Sequence, residues 1–215
     1  QAGDLWRGQH ALRLPASLSS GIYTWGLELF DPVTRQTFTP QATLGQLQVQ
    51  APARRWQPPD LQLPLGATLT CPHAVSGDEP FPEGKEDDCV TLLGANLQPA
   101  VTAPLQAPVT LTVTLAWQGQ AEMHTSYRVF LHLLKPDGSL LAQSDGEPAN
   151  WTRPTTGWAP GEVILDTRVL DIPAKGTPGS YALVAGLYDP DTQQRLALDD
   201  GSTRVILVTP ITLQP

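Results

Sequence analysis

Residues 109–117, VTLTVTLAW, alternate between large apolar side chains and small ones, mostly threonine. Successive side chains of a β-strand point to opposite faces of the sheet, so this alternation predicts one buried face and one face in water. Residues 127–134, YRVFLHLL, show a related alternation and are followed by Pro-Asp-Gly. In that turn the proline restricts φ and the glycine accepts a positive φ. Strands of this kind require a second sheet to cover their apolar faces.

The rest of the chain also favours strands over helices. No useful window keeps apolar residues at the i, i+3, i+4, i+7 spacing without an intervening proline or glycine. The chain has 22 Pro and 18 Gly in 215 residues, yet 40% of its residues are hydrophobic, which indicates short strands joined by turns rather than disorder. Further strands are predicted at 66–71, 89–97, 139–143, 162–170, 180–188, 194–198 and 205–213. These features predict an all-β protein with an immunoglobulin-like antiparallel β-sandwich.

The chain contains an internal repeat. Residues 12–36 align without gaps on residues 170–194, and 10 of the 25 aligned positions are identical. Chance would give about one or two identities, so the repeat indicates a duplicated module whose first copy is incomplete. We therefore expect closing strands of an incomplete module at 1–50, a Pro-rich linker at 51–64 and a complete module at 65–215.

The incomplete copy is predicted to contain strands at 9–15, 21–30 and 44–50. Left uncovered, these strands would present an apolar patch and open edges to water. They could pack on the complete module of the same chain, or exchange strands with a second chain. We favour the exchange, and hence a homodimer through residues 1–50, because duplicated modules are self-complementary.

Cys71 and Cys89 are the two cysteines of the chain and enclose 17 residues rich in polar and turn-forming types. Both adjoin predicted strands and neither belongs to a metal or redox motif, which favours a disulfide over two buried thiols. Such a bond would stabilise the fold by about 3 kcal/mol. It also indicates an oxidising, extracytoplasmic compartment.

Composition and missing motifs exclude several functions. The net charge of −8 and the lack of a basic cluster make nucleic-acid binding unexpected. The chain has no G-x-S-x-G, H-E-x-x-H, Walker A or dinucleotide motif. Its histidines lack the spacing of metal ligands on a strand, so we expect no metal, no cofactor and no enzyme activity in this chain alone. These histidines are His10, His73, His124 and His132.

Residues 139–166 contain the candidate binding site. Aromatic rings stack on the C–H faces of sugars, and amide and carboxylate groups bind their hydroxyls, so this segment predicts a carbohydrate ligand. The alternative is structural, with Trp158 closing the core and Asp145 fixing the hairpin. We expect Trp158 to be mostly buried and Trp151 to lie in the middle of the loop. The candidate residues are Trp151, Trp158, Gln143, Asp145, Asn150 and Arg153.

An ordered string of motifs between residues 88 and 213 resembles a known family. The string comprises YRVFLHLL at 127–134, Asp-Gly at 137–138, AQSDGEP at 142–148, PTTGWAPGE at 154–162, PGSY at 178–181 and GLYD at 186–189. It resembles the β-sandwich domain at the C-terminus of large bacterial membrane glycosyltransferases of the protein-mannosyltransferase-like superfamily, and is similar to domains of Chloroflexi-type surface proteins. The insert between Cys71 and Cys89 departs from that pattern.

The resemblance implies an extracytoplasmic accessory domain attached to a membrane catalytic region outside this chain, and it implies no catalytic residues here. Two alternative functions remain open: a carbohydrate-binding module, and a cell-surface interaction or adhesion repeat. Two exposed tryptophan rings would favour the carbohydrate-binding module, and further tandem copies would favour the adhesion repeat.

Overall fold

The computed structural model describes residues 13–38, 40–71, 87–174 and 179–214, and most of these residues lie in strands. The chain divides into two compact units, Gln1–Ala53 and Arg54–Pro215. No helix among the described residues is long and apolar enough to cross a membrane. The all-β prediction is confirmed.

The first unit contains β1 (Gly21–Leu27) and β2 (Ala42–Val49). The described residues of the second unit form ten strands, a one-turn segment α1 and a 3₁₀ turn at Thr155–Gly157. Its elements are β3 (Leu63–Cys71), β4 (Asp87–Gln98), β5 (Leu105–Gln106), β6 (Val109–Gly119), β7 (Arg128–Leu134), β8 (Leu140–Gly146), α1 (Pro148–Trp151), β9 (Val163–Ile172), β10 (Gly179–Tyr188), β11 (Ala197–Leu198) and β12 (Val205–Gln214).

Two five-stranded sheets form the second unit. One has the order β5-β12-β10-β7-β8 and the other the order β11-β3-β4-β6-β9. The run β12-β10-β7-β8 corresponds to strands G, F, C and C′ of an immunoglobulin domain, and β4-β6-β9 corresponds to A, B and E. All ladders are antiparallel except that of β5 with β12. The immunoglobulin-like sandwich is therefore confirmed, with β3 added beside the A strand.

The core lies between the two sheets and follows the alternation of the sequence. Val113 and Leu115 of β6 are fully buried, and so are Val129, Leu131 and Leu133 of β7. Each such side chain contributes about 1.5–3 kcal/mol by leaving water. The predicted core faces of both strands are confirmed.

The segment before β3 belongs to the second unit. The carbonyl oxygen of Arg55 accepts a hydrogen bond from Val163 N at 2.7 Å. The amide side chain of Asn96 accepts from Gln62 N at 2.7 Å and donates to the carbonyl of Asp60 at 3.0 Å. These bonds satisfy backbone groups that an extended spacer would leave to water. Residues 54–62 are thus attached to the sandwich, and β3 begins at Leu63, one residue before the predicted end of the linker.

Cys71 and Cys89 form a disulfide, as predicted, with their Cα atoms 5.6 Å apart. Cys71 is the last residue of β3 and Cys89 lies near the start of β4, its antiparallel neighbour. The bond therefore joins two paired strands at the end where the chain passes from one to the other. Residues 72–86, between them, lie outside the described residues.

The repeated sequence forms the same turn in both units. Arg35 N donates to Asp31 O, and Gln193 N donates to Asp189 O, each at 2.8 Å. Arg35 and Gln193 also share a positive φ, 58° and 62°. In each turn the aspartate carboxylate accepts a hydrogen bond from the backbone N–H two residues later, at 2.7 and 2.8 Å. An aspartate in this position stabilises a local turn. The two copies of the repeated sequence therefore form turns with the same backbone conformation and hydrogen bonds.

The strands β1 and β2 of the first unit form a two-stranded antiparallel hairpin. In the second unit the corresponding strand β10 also pairs with β7, whereas β1 has no second partner strand within 13–38 or 40–71. A two-stranded hairpin alone is marginally stable in water. Of the predicted strand 9–15, residues 9–12 lie outside the described residues and 13–15 are not in a strand. Exposed apolar side chains of this unit include Ile22, Leu27, Leu29, Phe30, Val33 and Phe38.

We predict that the chain self-associates through residues 1–50, because association would remove the apolar side chains of the hairpin from water. Sedimentation velocity at several concentrations should show dimers that Ile22→Asp weakens. Ile206→Asp is the matched control, since Ile206 is similarly exposed but belongs to the second unit. A chain that stays monomeric at every concentration would contradict the prediction.

Candidate functional site

The outer surface of the sheet containing β7, β8 and β10 carries aromatic and charged side chains. Arg128, Phe130 and His132 of β7 alternate with the core residues of that strand and therefore point away from the core. The strand register places Asp145 and Gly186 on either side of Phe130. We call this surface the outer sheet face and define it by Arg128, Phe130, His132, Gln143, Asp145, Trp151, Tyr188 and Arg195.

Phe130 forms the floor of this face and is only 1% exposed although it lies outside the core. A Cβ atom at Gly186 would lie 2.5 Å from its ring, so the glycine leaves the room that the ring occupies. The guanidinium of Arg195 covers the ring at 4.1 Å from its centroid, which is a cation–π contact. An aromatic ring is thus buried on the solvent side of the sheet by one glycine and one arginine.

His132 and Asp145 form the polar side of the same region. Nε2 of His132 lies 3.1 Å from Oδ1 of Asp145, across the β7–β8 pairing. A depression of about 160 Å³ opens beside them. That volume equals about five waters at ~30 Å³ each, which is roughly the space of a single sugar unit. Its lining consists of Phe130, His132, Asp145, Tyr188, Gln193 and Arg195.

Trp151 stands at the end of a strained turn beside this face. The φ angles of Ala149, Asn150 and Trp151 are 50°, 53° and 66°, all left-handed. That conformation costs a residue other than glycine about 1–2 kcal/mol. Trp151 is 57% exposed, and the guanidinium of Arg128 lies 5.1 Å from the centroid of its ring. The turn therefore presents a flat aromatic ring to solvent next to β7.

A buried ion pair on β9 supports the turn. Arg168 Nε donates to Asp166 Oδ2 at 2.7 Å, and both side chains are almost fully buried. Asp166 Oδ1 accepts from Ala149 N at 2.8 Å, while Arg168 Nη2 donates to the carbonyls of Gly146 and Glu147 at 2.8 and 2.9 Å. Burial raises the pKa of Asp166, and the Arg168 guanidinium opposes that effect. The pair ties the backbone at the start of α1 to β9.

Trp158 and Arg153 have structural roles. Trp158 is fully buried, as predicted, and its Nε1 donates to the carbonyl of Arg153 at 2.9 Å. Arg153 Nη2 donates to Oε1 of Glu162 at 2.5 Å, and Arg54 contacts the other oxygen of this carboxylate. Glu162 has no exposed surface, so two guanidinium partners compensate its lost hydration.

The structure thus separates the six sequence candidates into two groups. Trp158 and Arg153 form the structural group described above, and the other four lie at or beside the outer sheet face. Gln143, Asp145 and Trp151 belong to the outer sheet face, and Asn150 is exposed beside Trp151 on the strained turn. Strand alternation could also have placed Arg128 there, on the same side of β7 as Phe130 and His132. Sequence reasoning missed Tyr188 and Arg195 because only the pairing with β10 and the following turn brings them to this face.

No group of three or more histidine, cysteine, aspartate or glutamate side chains suited to a metal ion occurs in the described part of the chain. No protein-family model matches the sequence, and no curated protein matches it. The fold and the site therefore define the class of this protein: an immunoglobulin-like β-sandwich with an exposed aromatic and polar sheet face.

We predict that Asp166→Ala lowers the free energy of unfolding by about 3–5 kcal/mol, because it leaves Arg168 buried without its partner. Urea denaturation measures the change. Asp171→Ala is the matched control, since Asp171 lies on the exposed side of the same strand and bonds only Thr110 Oγ1, at 2.7 Å. The control should cost less than about 1 kcal/mol. Equal losses for the two variants would show that the pair does not support the turn.

Proposed function

We propose that this chain is a non-catalytic, extracytoplasmic accessory β-sandwich module that binds carbohydrate through its outer sheet face. The observation that carries the proposal is the exposed ring of Trp151, held by a strained turn next to polar side chains of β7 and β8. A flat aromatic ring with hydrogen-bonding groups around it matches the two surfaces of a sugar, its C–H face and its hydroxyls.

The strain of the turn supports a binding role. A turn with only a connecting role would be more stable with glycine at its left-handed positions. Here Ala149, Asn150 and Trp151 occupy them, and backbone strain of this kind is concentrated at functional sites. The Trp151 ring gains little from burial, since more than half of it is exposed, while the cation–π contact with Arg128 restricts its movement.

The polar groups have the donors and acceptors that sugars require. The Asp145 carboxylate has acceptor capacity beyond its bond to His132, and the Gln143 amide both donates and accepts. The depression is shallow and small. At about 0.3 kcal/mol per non-hydrogen atom, one sugar of about 12 such atoms binds near −4 kcal/mol, a dissociation constant of about 1 mM. Affinity of this size suits a module that acts alongside a separate catalytic region.

The attachment to a membrane glycosyltransferase-like protein is supported by the ordered motif string, and the extracytoplasmic location by the Cys71–Cys89 disulfide. In that position the module would hold a glycan or glycosylated acceptor close to the membrane catalytic region. The surface that faces the glycan would be the outer sheet face.

We predict that Trp151→Ala weakens carbohydrate binding at least about tenfold, because the stacking surface is lost. A glycan array, followed by titration with the glycans retained, measures the effect. Trp56→Ala is the matched control, since Trp56 is 55% exposed in the same unit but lies outside the outer sheet face. Trp151→Phe should retain part of the affinity. Absence of binding to every glycan at millimolar concentration would refute the carbohydrate proposal.

We predict that the parent protein carries this module outside the cytoplasmic membrane. Protease added to spheroplasts, whose cytoplasmic membrane is intact but whose outer layers have been removed, should release or degrade the module, while a cytoplasmic control protein stays intact. Non-reducing electrophoresis of the same samples should show the Cys71–Cys89 bond formed. A module that resists the protease until the cells are lysed would contradict the location.

A further inference from the structure

We propose that the carbohydrate bound at the outer sheet face is acidic, and that Arg195 binds its carboxylate in the depression over Phe130. The inference rests on the proposed function and specifies its ligand class, a saccharide with a carboxylate group such as a uronic or sialic acid.

Two arginines converge on this face in a chain whose net charge is −8. Tyr188 pairs with Arg128 on one side and bridges to Arg195 on the other, so the three side chains lie in a row across neighbouring strands. The carboxylate of Asp145 is already paired with His132. The two arginines therefore leave the face with an excess of positive charge.

Among the described residues neither Arg128 nor Arg195 has a carboxylate partner, whereas Arg54, Arg153 and Arg168 are paired with buried carboxylates. Nε of Arg128 is buried and has no hydrogen-bond partner in the same set of residues. Buried donors are normally satisfied, so an oxygen from a ligand or a water belongs there. These two cations, neither of them paired with a carboxylate, thus lie on the face that carries Trp151.

Arg195 is held in the orientation that carboxylate binding needs. Its guanidinium carbon lies over the Phe130 ring at 4.1 Å from the centroid, and a guanidinium that stacks on an aromatic ring keeps the N–H groups along its edge available. These N–H groups form a fork that matches the two oxygens of a carboxylate. Because Gly186 seats the ring below, Phe130 gives the guanidinium a fixed platform. The fork is therefore ordered before a ligand arrives, which lowers the entropy lost on binding.

The rest of the depression selects a saccharide over a simple anion. Asp145, which lines it, accepts hydrogen bonds from sugar hydroxyls, which an inorganic anion lacks. The Tyr188 hydroxyl and the Gln193 amide add groups that both donate and accept. A ligand with hydroxyls on one side and a carboxylate on the other uses both halves of the site, whereas a neutral sugar leaves Arg195 without an anionic partner.

Calorimetric titration of the full chain tests the proposal. The probes are trigalacturonate and sialyllactose, each compared with its carboxyl methyl ester, which keeps the sugar but removes the charge. The proteins are the wild type, Arg195→Gln, Arg195→Lys and Trp151→Ala. Arg204→Gln is the control for loss of an exposed positive charge outside this face. Thermal melting of each variant confirms that it is folded.

We expect at least one acid to bind about tenfold or more tightly than its ester, a preference that Arg195→Gln abolishes and Arg204→Gln leaves unchanged. The acid-over-ester preference of Arg195→Lys should lie between those of the wild type and Arg195→Gln, since lysine keeps the positive charge but lacks the forked N–H groups. If the acid and its ester bind equally well and Trp151→Ala abolishes the binding of both, the ligand is a carbohydrate but is not selected for its charge. That result would overturn the acidic ligand and leave the proposed function intact. An acid preference that survives Arg195→Gln would also overturn it. No binding of any probe, together with an array that retains no glycan, would overturn both.

Discussion

The burial of one face of each central strand between the two sheets is the constraint on which the rest of the second unit depends. Core residues such as Val113 and Leu131 have no exposed surface, and a slip of one residue in either strand would move them into water. The registers of β7 with β8 and with β10 are fixed in this way. Those registers then determine which side chains meet on the opposite face, where Phe130 lies between Asp145 and Gly186. The candidate site is thus positioned by packing on the far side of the same sheet.

The Asp166–Arg168 pair stabilises the connection between the two sheets, where the chain passes from β8 in one sheet to β9 in the other. A buried ion pair contributes little net stability compared with well-packed apolar residues, but removing one partner is costly. Here both partners also bond backbone groups around α1, at Gly146, Glu147 and Ala149. The pair offsets the strain of three left-handed residues and keeps an exposed tryptophan beside the sheet. A rigid aromatic ring loses little conformational freedom when a ligand binds.

The internal repeat separates local from tertiary effects within one chain. The turns at Asp31 and Asp189 share their hydrogen bonds and their positive-φ residue, because an aspartate carboxylate and a threonine shape the backbone without help from distant residues. The surroundings differ. In the second unit β10 lies between β7 and β12, whereas the described part of the first unit contains only the hairpin. The same sequence pattern is therefore core in one unit and exposed apolar surface in the other.

By itself the sequence determined the strands, their core faces, the disulfide and the contrast between a buried Trp158 and an exposed Trp151, because period-two alternation, cysteine placement and turn residues are local signals. It also selected Gln143 and Asp145, which follow β7 closely along the chain. Only the tertiary structure decided that Arg153 supports a buried carboxylate and that Tyr188 and Arg195 join the site. Tyr188 and Arg195 are brought beside β7 by strand pairing across some sixty positions of the chain. Such pairing depends on the burial of whole sheets, which no short sequence pattern encodes.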